Sequence, residues 1–211
     1  MTEQSIDSLI ASDTYNPAII PRLEAHLTAQ TLSKEPYHFL ANKTLLKQYQ
    51  FFPDLCKIEN VANILTLSLM FLSEQHFTLF CFIIPQEVLD EESVKLLVSL
   101  NNLLETCSFK EFWNLEKTAN IKVDGFQQKI RCYILKVLSL TFKSCPFSVL
   151  LPSLNFASES ELNTFVKEQK EVVEESTKEG VVFVTNSSNQ PIKKIVKDGI
   201  VGKNLSAVMR N

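Results

Sequence analysis

Glycine is scarce in this chain: 4 residues in 211, beside 8 prolines. A loop-rich all-β fold would need more of both at its turns, so long regular elements are expected. Recognised catalytic signatures are missing as well. There is no glycine-rich phosphate loop, no Gly-x-Ser-x-Gly elbow, no His-Glu-x-x-His pair and no dinucleotide fingerprint. The three histidines, His26, His38 and His76, stand far apart, and none has a nucleophile or a second ligand close by in sequence. The sequence therefore predicts no enzyme and no cofactor. Five cysteines, Cys56, Cys81, Cys107, Cys132 and Cys145, form no Cys-x-x-Cys pair, which excludes a zinc site of the usual spacing. They read as reduced thiols serving as small apolar residues on helix faces, which suits a cytoplasmic protein. Cys107 beside Ser108 fits a helix-turn position better than a nucleophile.

An excess of positive charge is absent too. The formal net charge is −3, so no global field favours nucleic acid or an anionic membrane. Met1-Thr2-Glu3-Gln4-Ser5 lacks the basic start and apolar core of a signal peptide. The most apolar run, Val61 to Leu72, is broken by Thr66 and Ser68 and ends at Ser73-Glu74-Gln75-His76. A membrane span needs about 20 apolar residues, so this run reads as a buried helix and no membrane partner is expected.

What is present is a succession of helical patterns from about Asn16 to Ser144. Asn16 can cap the first, with Pro17 at the position where its missing N–H costs nothing. Ile20, Leu23 and Leu27 then recur on one face. Tyr37 to Tyr49 follows, then Ile58 to Leu72, apolar almost all round. Phe77 to Ile84 scores as a strand by propensity. With no partner strand at hairpin distance and helical neighbours on both sides, Phe77 to Leu89 is read as a helix. Glu91 to Thr106 carries a stripe of Leu96, Leu97, Leu100, Leu103 and Leu104. Trp113, Phe109 and Phe112 have the spacing of a buried helix face, in preference to a base-stacking platform. Such helices joined by short connections suggest stacked antiparallel pairs, a HEAT-like solenoid over residues 1–124.

The composition changes after Asp124-Gly125. A helix from Phe126 to about Lys143 is followed by a short element at Phe147 to Leu154. Ser158-Glu159-Ser160-Glu161 fits a capping box that opens a helix running to about Glu175. Val181 to Thr185 is the first convincing strand, and Ile192 to Lys197 is a second possible one. Three helices followed by a hairpin is the order of a winged helix over residues 125–211.

Three blocks carry a family resemblance. Asp13-Thr14-Tyr15-Asn16-Pro17 opens the first long helix, the segment from Ala41 to Pro53 closes the second, and Leu103 to Asn114 joins two more. In this order and spacing they resemble the subunit k family of the eukaryotic translation initiation factor three complex, a scaffold family of the wider PCI class. That resemblance implies a mostly α fold with a helical solenoid and a C-terminal winged helix, and it supports a helix at Phe77 to Leu89. It further implies a non-catalytic structural role, contacts with sibling subunits and with subunit l above all, and docking of the complex on the small ribosomal subunit. The equivalent small subunit of the signalosome or the proteasome lid would share the fold, and a stand-alone winged-helix RNA-binding protein is a third reading.

The charge pattern bears on that third reading. Ser158 to Glu179 holds seven glutamates against three lysines, so a helix there would repel phosphate and cannot read a major groove. Positive charge collects beyond it, at Lys193, Lys194, Lys197, Lys203 and Arg210 against the single acid Asp198. These five are the candidate contacts to an acidic partner or, weakly, to RNA; the alternative is a solvated strand edge and terminus.

Overall fold

Helices make up most of the molecule. The computed structural model describes residues 6–119, 121–176 and 180–184. Its elements in chain order are α1 (Ile6–Asp13), α2 (Ile20–Thr31), α3 (Phe39–Phe51), α4 (Ile58–Leu69), α5 (His76–Ile83), α6 (Gln86–Leu89), α7 (Glu92–Glu105), α8 (Phe109–Glu116), α9 (Phe126–Thr141), β1 (Ser144–Pro146), α10 (Phe147–Leu154), α11 (Glu159–Glu168), β2 (Val173–Ser176) and β3 (Gly180–Phe183). Short 3₁₀ turns at Pro17–Ile19, Pro53–Leu55 and Leu72–Glu74 lead into α2, α4 and α5.

The local causes are visible at the helix ends. The Asn16 side chain accepts a hydrogen bond from the Ala18 N–H at 3.0 Å, so it caps the 3₁₀ turn that feeds α2. The His38 ring nitrogen Nδ1 caps α3 by accepting from the Ala41 N–H at 3.2 Å. Pro85 ends α5 just past Ile84, whose extended backbone is the conformation a following proline favours, so the single helix expected over Phe77 to Leu89 is broken into α5 and α6. Ser158 accepts from the Glu161 N–H and starts α11.

Packing proceeds mainly between near neighbours. α2 lies against α3 and α4, α3 against α5, α4 against α5 and α7, and α7 against α8. Ile20, Leu23 and Leu27 are buried as their spacing predicts, together with Ile64, Leu65, Leu100, Leu104, Ile130 and Ile134. Buried apolar side chains form one connected cluster from Leu9 to Phe183.

Three further sequence expectations need correction. α1 occupies a stretch with little sequence signal; Leu9 and Ile10 bury it against the rest. α11 stops at Glu168 instead of continuing to Glu175, and Val173–Ser176 is a strand. A continued helix would stack Glu168, Glu171 and Glu175 at repelling three- and four-residue spacings, whereas the strand pairs Val173 with Phe183. Finally, β3 lies between two partners. It pairs antiparallel with β1 through Cys145–Val181 and with β2 through Ser176–Val181, so the sheet order is β1-β3-β2. The second strand expected at 192–197 lies outside the described residues.

Gly180 makes the β1–β3 pairing possible. A Cβ there would fall 2.3 Å from the Cys145 carbonyl oxygen and 2.8 Å from the Pro146 Cα. Only glycine permits this approach of two backbones.

Candidate partner-contact surfaces

The block around Trp113 is internal. Phe109, Phe112 and Trp113 are all buried, which leaves no ring face for a nucleobase. The Trp113 indole Nε1–H donates to the Ser153 carbonyl at 2.8 Å. Arg131, from α9, donates through Nε to the Leu154 carbonyl at 3.0 Å and through Nη2 to Asn155 at 3.2 Å. Those carbonyls belong to the end of α10, where a helix leaves its last acceptors without partners of its own. Arg131 also lies over the Phe156 ring, 4.3 Å from its centroid. These bonds make a seam in which α8 and α9 are tied to the end of α10, which itself packs against β1. A further tie runs from the Asp124 N–H, between α8 and α9, to the Thr31 carbonyl at the end of α2, at 3.0 Å.

The histidines are structural ties. His38 Nε2 faces Asp7 at 3.1 Å and holds α1 to α3. The His26 ring meets His38 edge-on at 5.6 Å, and burial lowers the His26 pKa. His76 stacks on Phe39 at 4.0 Å and hydrogen-bonds the Tyr37 hydroxyl at 3.1 Å. The sequence places these three far apart, yet the fold brings His26 and His38 together. Burial would raise the Glu24 pKa, but Lys57 at 2.5 Å, Tyr49 and Asn60 outweigh it and hold the carboxyl below its ordinary range. Gln30 and Asn42 exchange two buried side-chain hydrogen bonds.

All five cysteines are free. Only Cys81 and Cys132 sit on helices, so the helix-face reading fails for the other three. Cys107 is exposed in a left-handed turn (φ 58°) between α7 and α8. Burial, with Glu105 adding to it, pushes the Cys81 thiol up to about 11, which makes it a poor nucleophile at neutral pH. Among the described residues no group of His, Cys, Asp or Glu could hold a metal ion, and no helix is long and apolar enough to cross a membrane.

What the outer surface offers is contact area. Phe82 on α5 is 82% exposed and Leu79, one turn before it, 49%. Tyr15 and Phe51 form a second exposed pair, edge to face at 5.8 Å. Glu159, Glu161, Glu168, Glu171, Glu174 and Glu175 are exposed along α11 and the segment through β2. Lys193, Lys194, Lys197, Lys203 and Arg210 lie outside the described residues.

A family model described as the CSN8/PSMD8/EIF3K family matches residues 56–194, from just before α4 to beyond β3. The chain belongs to this family. Its relatives in the family include proteins named eukaryotic translation initiation factor 3 subunit K. The one from Dictyostelium discoideum is 35% identical over 167 residues, which cover 78% of this chain and 67% of the relative. The one from Homo sapiens is 28% identical over 200 residues, covering 93% and 90%. The one from Sclerotinia sclerotiorum is 29% identical over 231 residues, covering 98% and 92%. The family match thus takes in the seam, the small sheet and the exposed face of α5 alike.

Proposed function

We infer that the chain works as subunit K of eukaryotic translation initiation factor 3, as a non-catalytic structural subunit. The observation that carries this reading is the match to proteins of that name along 93–98% of the chain. The fold fits it: the chemistry-bearing side chains described above hold helices together, and the outer surface offers apolar and acidic contact area. Mechanism here is geometry. Rigid elements present fixed surfaces to neighbours, and no bond is made or broken.

Finer features belong to the same proposal. Residues 1–124 act as a HEAT-like helical unit, supported by the neighbour-on-neighbour packing of α2 to α8. Residues 125–211 act as a winged helix, supported by the order helix, strand, helix, helix, strand, strand and by the sheet order β1-β3-β2. The acidic surface of α11 and β2 argues against groove reading in that unit. Its edge strands β1 and β2 offer backbone groups to a sibling's sheet. Subunit l is the proposed sibling, the small ribosomal subunit is reached through the complex, and the protein acts in the cytoplasm. Lys193, Lys194, Lys197, Lys203 and Arg210 are proposed contacts to an acidic neighbour, with RNA a weaker option.

A tagged full-length chain captured from nuclease-treated extract, with its companions identified and sized, tests this reading. A large assembly containing other initiation factor 3 subunits is expected. Recovery of signalosome or proteasome lid subunits would keep the architecture and overturn the translation role. A lone chain that bound only RNA before nuclease treatment would overturn both.

A further inference from the structure

α5 is built almost wholly of apolar residues, His76-Phe77-Thr78-Leu79-Phe80-Cys81-Phe82-Ile83, yet only part of it is covered. Phe77 and Phe80 are buried at 2% and 0% exposure. Leu79 and Phe82 stand three residues apart, so they share the opposite, outward face. A phenylalanine 82% exposed on such a face is the arrangement of an interface anchor, because aromatic side chains that fill a partner's pocket dominate binding energy.

The surrounding charge identifies what fits there. From Ile58 to Val94 the chain holds no lysine or arginine. Glu74 lies just before α5, and Glu87, Asp90, Glu91 and Glu92 follow within ten residues of Phe82, all exposed. Of these, Asp90 pairs with Lys95 at 3.3 Å and Glu74 faces the His76 ring at 3.4 Å. From neighbouring elements Lys43 and Lys129 lie over Phe39 and Phe71, rings of the stack that joins His76 and the buried Phe80, so the acidic excess belongs to the C-terminal side of α5. Glu105, exposed at the end of α7, is near enough to Cys81 to act on its thiol. An apolar anchor in an acidic rim repels nucleic acid and anionic lipid, and it repels a second copy of itself. It suits a segment that carries lysine or arginine around an apolar residue.

We propose that the Leu79–Phe82 face of α5, with its acidic rim, docks a basic, apolar segment of another protein chain. This inference rests on the scaffold reading and adds to it the chemistry of one neighbour.

Two measurements test it. In the first, full-length protein carrying p-benzoylphenylalanine in place of Phe82 is irradiated in cells and purified with its assembly. A cross-link is expected to a different protein chain, within a segment that has basic residues flanking an apolar one. Cross-links confined to nucleic acid, to a second copy, or to residues 185–211 of the same chain would overturn the proposal, as would no cross-link in an intact assembly. Failure to join any assembly would count against the scaffold reading instead, so a second measurement needs no assembly. A fluorescent amphipathic peptide of leucine and lysine at helical spacing is titrated against the purified chain. Phe82→Ser should weaken binding at least about tenfold with the far-UV spectrum unchanged, since the side chain is exposed. Phe82→Glu adds a carboxylate. Weaker binding by that variant supports an apolar anchor, whereas tighter binding means charge alone and overturns the proposal. Equal binding of a leucine and glutamate peptide would overturn it as well.

Discussion

Ser153, in the last turn of α10, has a carbonyl that the helix cannot satisfy, and the Trp113 indole supplies the missing donor from forty residues away. Trp113→Phe keeps most of the buried ring and removes that donor. It should cost about 1–3 kcal/mol of stability, because the carbonyl stays buried without a partner. Urea titration checks this, with the midpoint falling and the slope unchanged. His26 makes a different prediction. Its Nε2 is buried without a hydrogen-bond partner, and burial first, then the nearby His38, lowers its pKa despite Glu35 and Asp7. The unfolded chain therefore takes up this proton more readily than the folded one. The stability is fully present above the unfolded value, near 6.5, and is lost as the pH falls through the lower folded value. The urea midpoint should drop between about pH 7.5 and pH 5.5, and His26→Phe should flatten that drop. Glu24, whose folded pKa is lowered below a value already under this window, leaves it untouched.

At the scale of elements, the tightest constraint is the meeting of β1 with β3. Gly180→Ala would force a methyl group into the Cys145 carbonyl. The two strands must then separate, at a cost of about 2–3 kcal/mol or more. Thermal unfolding of the variant checks this, and an unchanged midpoint would contradict the geometry. Most helices were legible because their outer faces are polar: the leucine stripe of α7 and the Ile130 and Ile134 face of α9 point to their own burial. β2 was not legible, since four of the eight residues from Glu168 to Glu175 are glutamate and only Val172 and Val173 mark its inner side. α1 escaped because Leu9 and Ile10 are adjacent and give no period. The outward face of α5 was hidden for the opposite reason. With an apolar residue at nearly every position, no periodicity separates the covered side from Phe82. The basic residues beyond Gln190 were legible as a charge cluster, but their surroundings lie outside the described residues.

The molecule as a whole ties its helices and its small sheet into one buried apolar cluster. Trp113 and Arg131 tie α8 and α9 to α10, which packs against β1, and the Asp124 N–H to Thr31 bond ties the end of α2 to the loop before α9. The free chain should therefore unfold in one cooperative step, with circular dichroism and calorimetry giving the same midpoint. Two resolved transitions would mean that the seam is weaker than its bonds suggest. The same molecule spreads its charge unevenly, and this shapes how its surface can be mapped. Trypsin finds no lysine or arginine between Lys57 and Lys95. It therefore releases the whole outward face of α5, with Phe82, inside a single fragment that begins at Ile58 and ends at Lys95. An enzyme that cuts at glutamate locates a covalent mark on that face more finely, because Glu74 and Glu87 flank α5 on either side.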